Sequence, residues 1–219
     1  MNDNVQLLRA PGKLAHRLGH SLAQAFSSAP DYSFILSGHP DKQRALSWFF
    51  GNFAARLSLV YGSIHVTEDG AAGILTFAPG KSPSLLTLLR AGVLAFPRHF
   101  GWLGTFRAFS LGMHMEKQRL KLAPMPHWYV LAVGVAPEQQ GQGLGYDLVT
   151  RALRRAEADG VPCYLEAFEQ HLVDHYERRG FRVVNKDELP TGLTLWCLLR
   201  EPSQVPVVAK TSHQPNNKQ

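Results

Sequence analysis

Apolar residues recur every four positions at Leu14, Leu18, Leu22 and Phe26, a spacing that lays one stripe along a helix. A short strand from Val5 to Arg9 precedes it, and Pro30 and Asp31 are expected to stop it. A second helix is predicted from Asp41 to Arg56, with Leu46, Phe49, Phe50 and Phe53 on adjoining turns and Asp41 as N-terminal cap. Strands follow near 57–61, 64–67 and 72–77, the last two joined by the hairpin signal Asp69-Gly70. From Ser82 to Leu122 the pattern is helical again, carries Phe96, Phe100, Trp102, Phe106 and Phe109, and is expected to break at Pro97, Gly101 and Gly104.

Residues 128–135 then form an apolar run that suits a strand buried on both faces. After a glycine-rich turn, Leu144, Leu148, Val149, Ala152, Leu153 and Ala156 make a second helical stripe, closed by Asp159-Gly160. A strand over 161–168, a short helix over 171–179 and strands over 181–184 and 193–199 complete the pattern. The order is β, α, α, three β, a helical insertion, β, α, β, α, β, β, which predicts a mixed α/β (α+β) fold. It reads as one domain over 1–202. Residues 203–219 are polar without period and read as a flexible tail.

Composition narrows the function classes. With 45% hydrophobic and 18% charged residues the 219-residue chain is globular rather than disordered. Two cysteines, Cys163 and Cys197, exclude a disulfide scaffold and a four-cysteine zinc site, and their apolar surroundings fit buried thiols in a reducing compartment. The pairs His16/His20 and His171/His175 have metal-ligand spacing on helices, but no third ligand accompanies either, so they read as surface histidines. A net charge of +6 favours an anionic partner. The basic residues are scattered with no run of five like charges, so no nucleic acid is expected. The N-terminus lacks a leader pattern and the longest greasy stretch, Ser84 to Phe96, holds Arg90, so no membrane association and a cytoplasmic location are expected.

The chemistry lies between the buried strand and the second striped helix, in Val135-Ala-Pro-Glu-Gln-Gln-Gly-Gln-Gly-Leu-Gly145. Glycines at alternate positions permit a tight turn and close backbone approach, and the helix behind them aims its unpaired N–H groups into the turn, which makes a phosphate cradle. The dinucleotide fingerprint fails, because Tyr146 stands where its third glycine belongs. The ATP-binding loop fails too, for want of Gly-Lys-Ser/Thr. A purely structural turn is the remaining alternative.

Gln140-x-x-Gly143-x-Gly145, preceded by Val135-x-Pro137, resembles the acetyl-CoA signature of the GNAT superfamily of N-acetyltransferases. Tyr164-Leu-Glu-Ala followed by Tyr176-Glu-Arg-Arg-Gly-Phe181 resembles that superfamily's second landmark. The likeness is specific over about 127–184, and within the superfamily His127-Trp-Tyr and the Tyr-Leu-Glu strand are similar to the puromycin N-acetyltransferase-like group. What the resemblance implies is a mixed, mostly antiparallel central sheet with splayed middle strands, helices on both faces and a helical insertion between strands. Acetyl-CoA would be the co-substrate. Its pantetheine arm would pair with the backbone of Val133, Gly134 and Val135, and its pyrophosphate would rest on amides of Gln140, Gly141, Gln142, Gly143, Leu144, Gly145 and Tyr146. Arg151, Arg154 and Arg155 read as solvated charges rather than cofactor contacts.

Acetyl transfer to an amine needs a base, oxyanion donors and an acid for the leaving thiolate. The resemblance assigns the acid to Tyr176; packing beside the pantetheine is its other reading. Glu166 ranks first as base and His127 second, with His114 and Glu116 further candidates, and for each a plain structural role competes. Leu172 stands where many family members carry an asparagine that contacts the cofactor. The five insertion aromatics either wall an apolar acceptor pocket or hold two helices together. The expected reaction is acetyl transfer to a primary amine of a small molecule in a ternary complex. A protein lysine or N-terminus as acceptor, and a non-catalytic acyl-CoA sensor, are the alternatives. A homodimer is left open.

Overall fold

The computed structural model describes residues 4–203. Strand β1 is Val5–Leu8 and helix α1 Lys13–Ala25. Pro30 does not merely end α1; it opens α2, Pro30–Ile35, where its missing N–H costs nothing. Helix α3 is Lys42–Trp48, capped by Asp41, whose Oδ1 accepts from the Arg44 amide at 3.0 Å. The chain then widens into a π-helical segment, Phe49–Ala54, and continues as α4, Ala55–Tyr61. The strand expected over 57–61 is therefore helical. Its short apolar run fits either period, and the buried Leu57 and Ser58 continue the helical face below Phe53 and Ala54.

Strands β2, Gly62–Thr67, and β3, Ala72–Phe77, form the expected hairpin. The insertion is α5, Leu85–Ala91, a 3-10 turn, and α6, Phe96–Leu122. Of the three breaks expected there, Pro97 begins α6, Gly101 kinks it with φ 67° and ψ 168°, and Gly104 stays helical, buried against the Ile35 carbonyl. The remaining elements are β4 Trp128–Val135, α7 Leu144–Asp159, β5 Cys163–Ala167, α8 Gln170–Glu177, β6 Arg182–Glu188 and β7 Thr194–Arg200. Ser203 closes the described chain, its amide donating to Glu157 Oε2 at 2.7 Å. The tail read over 203–219 otherwise lies outside the described residues.

The seven strands form one sheet in the order β1-β2-β3-β4-β5-β7-β6, antiparallel except for β4 against β5. Side-chain alternation splits the core into two layers. Tyr129, Ala132, Tyr164 and Leu195 face the layer built by α1 through α6. Trp128, Val130, Leu165 and Leu198 face α7 and α8. Helices thus cover both faces, as the resemblance implies.

The feature that positions the site is where β4 and β5 part. They pair only at Trp128–Cys163, Tyr129–Tyr164 and Val130–Leu165. On the other side of β4, Thr76 pairs Val130 while Leu75 pairs Ala132, so Leu131 is an extra, bulged residue. A bulge bends its strand, and here it coincides with the end of the seam. From Leu131 on, β4 leans away. Gly134 lets it do so under α1, since a Cβ there would stand 2.7 Å from Leu22 Cδ2.

Candidate active site

The parting strands leave a gap, and a cavity of about 1470 Å³ runs through it. Ligand pockets are typically about 300–1,000 Å³, so this one has room for more than a single small molecule. Its walls come from both layers. Gln140, Gly145, Val149 and Tyr176 belong to the α7/α8 side; Phe26, Asp31, Tyr32, Phe96 and Phe100 belong to the opposite side. Val133, Gly134 and Val135 line it from β4, and Glu166 from β5.

Glu166 follows Leu165 in β5 and so shares a face with Tyr164, toward α1–α6. Its Oε1 is buried with no hydrogen-bond partner among the described residues. Burial pushes its carboxyl up to about 7, against the opposing influence of the Tyr129 and Tyr164 hydroxyls and of Arg119. Tyr129 is held well above its ordinary range, by burial first and then by the Glu166 charge.

Tyr176 comes from α8. It packs edge-on to Phe181 at 5.6 Å, and burial pushes its phenol up to about 12, partly offset by Arg179. It therefore keeps its proton at neutral pH. Leu172, on the same helix, also lines the cavity and offers no polar atom there.

His127 is not in the cavity wall. Its Nδ1 donates to the Met125 carbonyl at 2.8 Å, and its Nε2 accepts from Arg119 Nη1 at 3.0 Å. Burial pulls its pKa down, so it is a neutral imidazole whose lone pair is already engaged. Arg119 is itself clamped by Glu116, at 2.6 Å between Nη2 and Oε1, and lies 5.2 Å over the Tyr129 ring. His114 is bound to Asp187 at 2.7 Å, tying α6 to β6. Three of the four base candidates thus have structural partners that engage them, whereas Glu166 keeps Oε1 unbonded among the described residues.

The glycine turn has the geometry of a cradle. Gly141 and Gly143 have φ of 79° and 80°, and Gly143 is the N-cap of α7 in the left-handed region that only glycine adopts freely. No side chain caps this helix, so its first N–H groups remain available. Gln140 Nε2 donates to the Val135 carbonyl at 3.1 Å and closes the turn back on β4. Gly141, Gln142 and Gly143 are exposed, whereas the Leu144 side chain is buried in the core, leaving only its backbone for a ligand. Tyr146 is exposed on the first turn, with Arg179 at 4.7 Å over its ring.

Sequence reasoning did not single out Tyr129, Arg119 or Asp31. Asp31 appeared only as a helix stop; burial pushes its carboxyl up to about 6 at the cavity wall. Arg155 is not the solvated charge expected: it donates to Ser63 Oγ at 2.7 Å and lies over Trp128. Of the five insertion aromatics, Phe96 and Phe100 are buried and line the cavity with Phe109, while Trp102 and Phe106 point outward. Both expected readings hold in part.

Residues 104–181 match the model of the acetyltransferase (GNAT) family. The match lies within a fold of the GNAT type. Solved GNAT-like structures cover nearly the whole chain. One, described as histone acetyltransferase HPA2 and related acetyltransferase, from Corynebacterium glutamicum, superposes with a TM-score of 0.66 at 19% identity, covering 93% of this chain and 99% of that one. The arylalkylamine N-acetyltransferase 2 of Aedes aegypti gives 0.57 at 14%, covering 91% and 99%. At these identities the likeness is one of fold. A mycothiol acetyltransferase of Mycolicibacterium smegmatis is 30% identical over 151 residues, 56% of this chain and 50% of that protein. The chain thus matches over about half the length of this curated relative. No helix among the described residues is long and apolar enough to cross a membrane.

Proposed function

We propose that the protein moves the acetyl group of acetyl-CoA to a primary amine of a small molecule, by direct attack in a ternary complex. The observation that carries this reading is the continuous cavity through the β4/β5 gap, with Tyr176 and the two ends of the glycine turn, Gln140 and Gly145, on one side and Glu166 on the other.

Acetyl-CoA fits what is present. The uncapped α7 terminus and the Gly141–Gly143 turn suit a diphosphate, and an added Cβ at either glycine would meet nothing within 4 Å, so the turn is open to a ligand. The β4 edge beyond Val130 lacks a β5 partner and suits the amides of a pantetheine arm.

The acceptor side holds carboxyls at Asp31 and Glu166, which favour the approach of an ammonium group, and aromatic walls, which suit an apolar body. Glu166, with its carboxyl near 7, takes a proton from the ammonium, whose ordinary pKa is near 10. The freed nitrogen attacks the thioester carbonyl, forming the C–N bond. Backbone N–H groups on the splayed part of β4 hold the oxyanion. As the C–S bond breaks, Tyr176 gives its proton to the departing sulfur, the surplus proton on the attacking nitrogen passes through solvent to restore Tyr176, and Glu166 releases its own proton to solvent, leaving the amide and the free thiol. His127 takes no part in this scheme because its Nε2 is engaged by Arg119.

The test is thermal unfolding with acetyl-CoA against NAD and ATP as matched anions. A specific ligand at about 100 times its Kd adds roughly 2.7 kcal/mol, a rise of about 5–11 °C for a chain of this size. A shift confined to acetyl-CoA, followed by amine-dependent thiol release, supports the reading. Equal small shifts with all three would show charge attraction only and remove the basis for Tyr176 as acid.

A further inference from the structure

The charge of the chain is less scattered than its order suggests. Residues 81–122 hold seven Lys and Arg against one Glu, a net +6 equal to that of the whole protein. All other residues balance, sixteen basic against sixteen acidic. Within the insertion Arg119 is buried and neutralised by Glu116. The six remaining cations, among them Arg90, Arg98, Lys117 and Lys121, supply the net charge, and all but Arg107 are exposed.

The same insertion exposes an apolar face. On α6, Trp102, Phe106, Phe109, Met113 and Leu120 fall at i, i+4, i+7, i+11 and i+18, one side of the helix, with Lys117 within the stripe; Trp102 and Phe106 lie clear of the cavity, and the stripe runs from them to Phe109, Met113, Lys117 and Leu120, which also border it. Trp102 is 81% exposed and Phe106 71%. Leu85, Leu86 and Leu89 on α5 and Leu94 in the 3-10 turn extend the exposed set. Single exposed apolar residues are ordinary, but a basic two-helix insertion with this many is not.

We infer that α5 and α6 form a docking surface for an anionic lipid bilayer, lying in its interface without crossing it. Bulky Trp, Phe and Leu side chains would enter the headgroup boundary while Lys and Arg reach the lipid phosphates by snorkelling. The charge decides among occupants. A second copy would bring the same six cations face to face. Residues 204–219 hold two lysines and no acid, so that segment has no complementary charge. An anionic membrane meets both the apolar stripe and its basic surround. This departs from the expectation of no membrane association, which rested on the lack of a leader pattern and of a spanning stretch, neither of which this surface requires.

The test uses the full chain with vesicles of phosphatidylcholine, with and without phosphatidylserine, at low and high salt. Co-sedimentation is expected only with the anionic vesicles, with a blue shift of Trp102 fluorescence that is lost in Trp102→Phe. Adding salt weakens it. The double variant Trp102→Ser/Phe106→Ser, and separately Arg98→Glu/Lys121→Glu, should bind at least about tenfold more weakly, with circular dichroism and melting temperature unchanged. These four side chains lie outside the cavity wall, so a loss of acetyl-CoA binding is not expected. The proposal is overturned if the protein stays in the supernatant with anionic vesicles. It is equally overturned if Trp102→Ser/Phe106→Ser binds like the parent, or if sedimentation velocity shows a dimer that this variant dissociates.

Discussion

Glu166 sits among two phenols with Oε1 unbonded, and its chemistry and its cost to the fold have the same origin. A carboxyl raised from 4.5 to about 7 binds its proton more tightly in the folded state. It therefore weakens the fold above about pH 7, and that penalty is released as pH falls from 7 toward 4.5. In its proposed role as base it must be ionised, so kcat should rise with pH through about 7. Glu166→Gln is expected to lower kcat by about 10²–10⁴ and remove that limb, yet raise the melting temperature at pH 8 more than at pH 5. A plain structural carboxyl would not show these opposite signs. Tyr176→Phe should cut kcat by roughly 10–100-fold with little change in acetyl-CoA affinity, read from steady-state thiol release. These two residues could be proposed from the sequence because each sits at a fixed offset from a recognisable landmark. Arg119 and Tyr129 were not: their environment depends on α6 folding back over β4, a contact with no local signature.

At the scale of elements, the strand wrongly expected over 57–61 shows what periodicity leaves open. Leu57, Leu59 and Val60 suit a strand or a helix, and the π segment before them shifts the face by an extra residue, so no single period spans 42–61. The hairpin, the Asp41 cap and the glycine end of α7 were legible, because each is set by chemistry within a few residues. Gly19 shows a constraint that a sequence does not display. A Cβ there would stand 2.5 Å from Gly51 Cα, where α1 crosses the π segment. Gly19→Ala should cost about 1–3 kcal/mol, seen as a lower denaturant midpoint with an unchanged m-value. At Gly101, where φ is 67° and no atom crowds the position, Ala should cost about 1–2 kcal/mol through backbone strain alone. The same readout checks it.

In the whole molecule, mixed class and most of the element order followed from the pattern, but the strand order β5-β7-β6 was not predicted, because spacing does not say which neighbour a late strand chooses. The result is two leaves, β1 to β4 and β5-β7-β6, stitched together by three residue pairs. A molecule built this way is softest along its spine. Whatever spans the opening is then also a clasp, supplying amide and carbonyl partners that the chain itself leaves out. Amide hydrogen exchange should register this as slower exchange across 131–135 when acetyl-CoA is added, with β2 and β3 changing little. The leaves would then open together instead of separately, so the molecule would be most firmly one body while it holds the compound we propose it consumes.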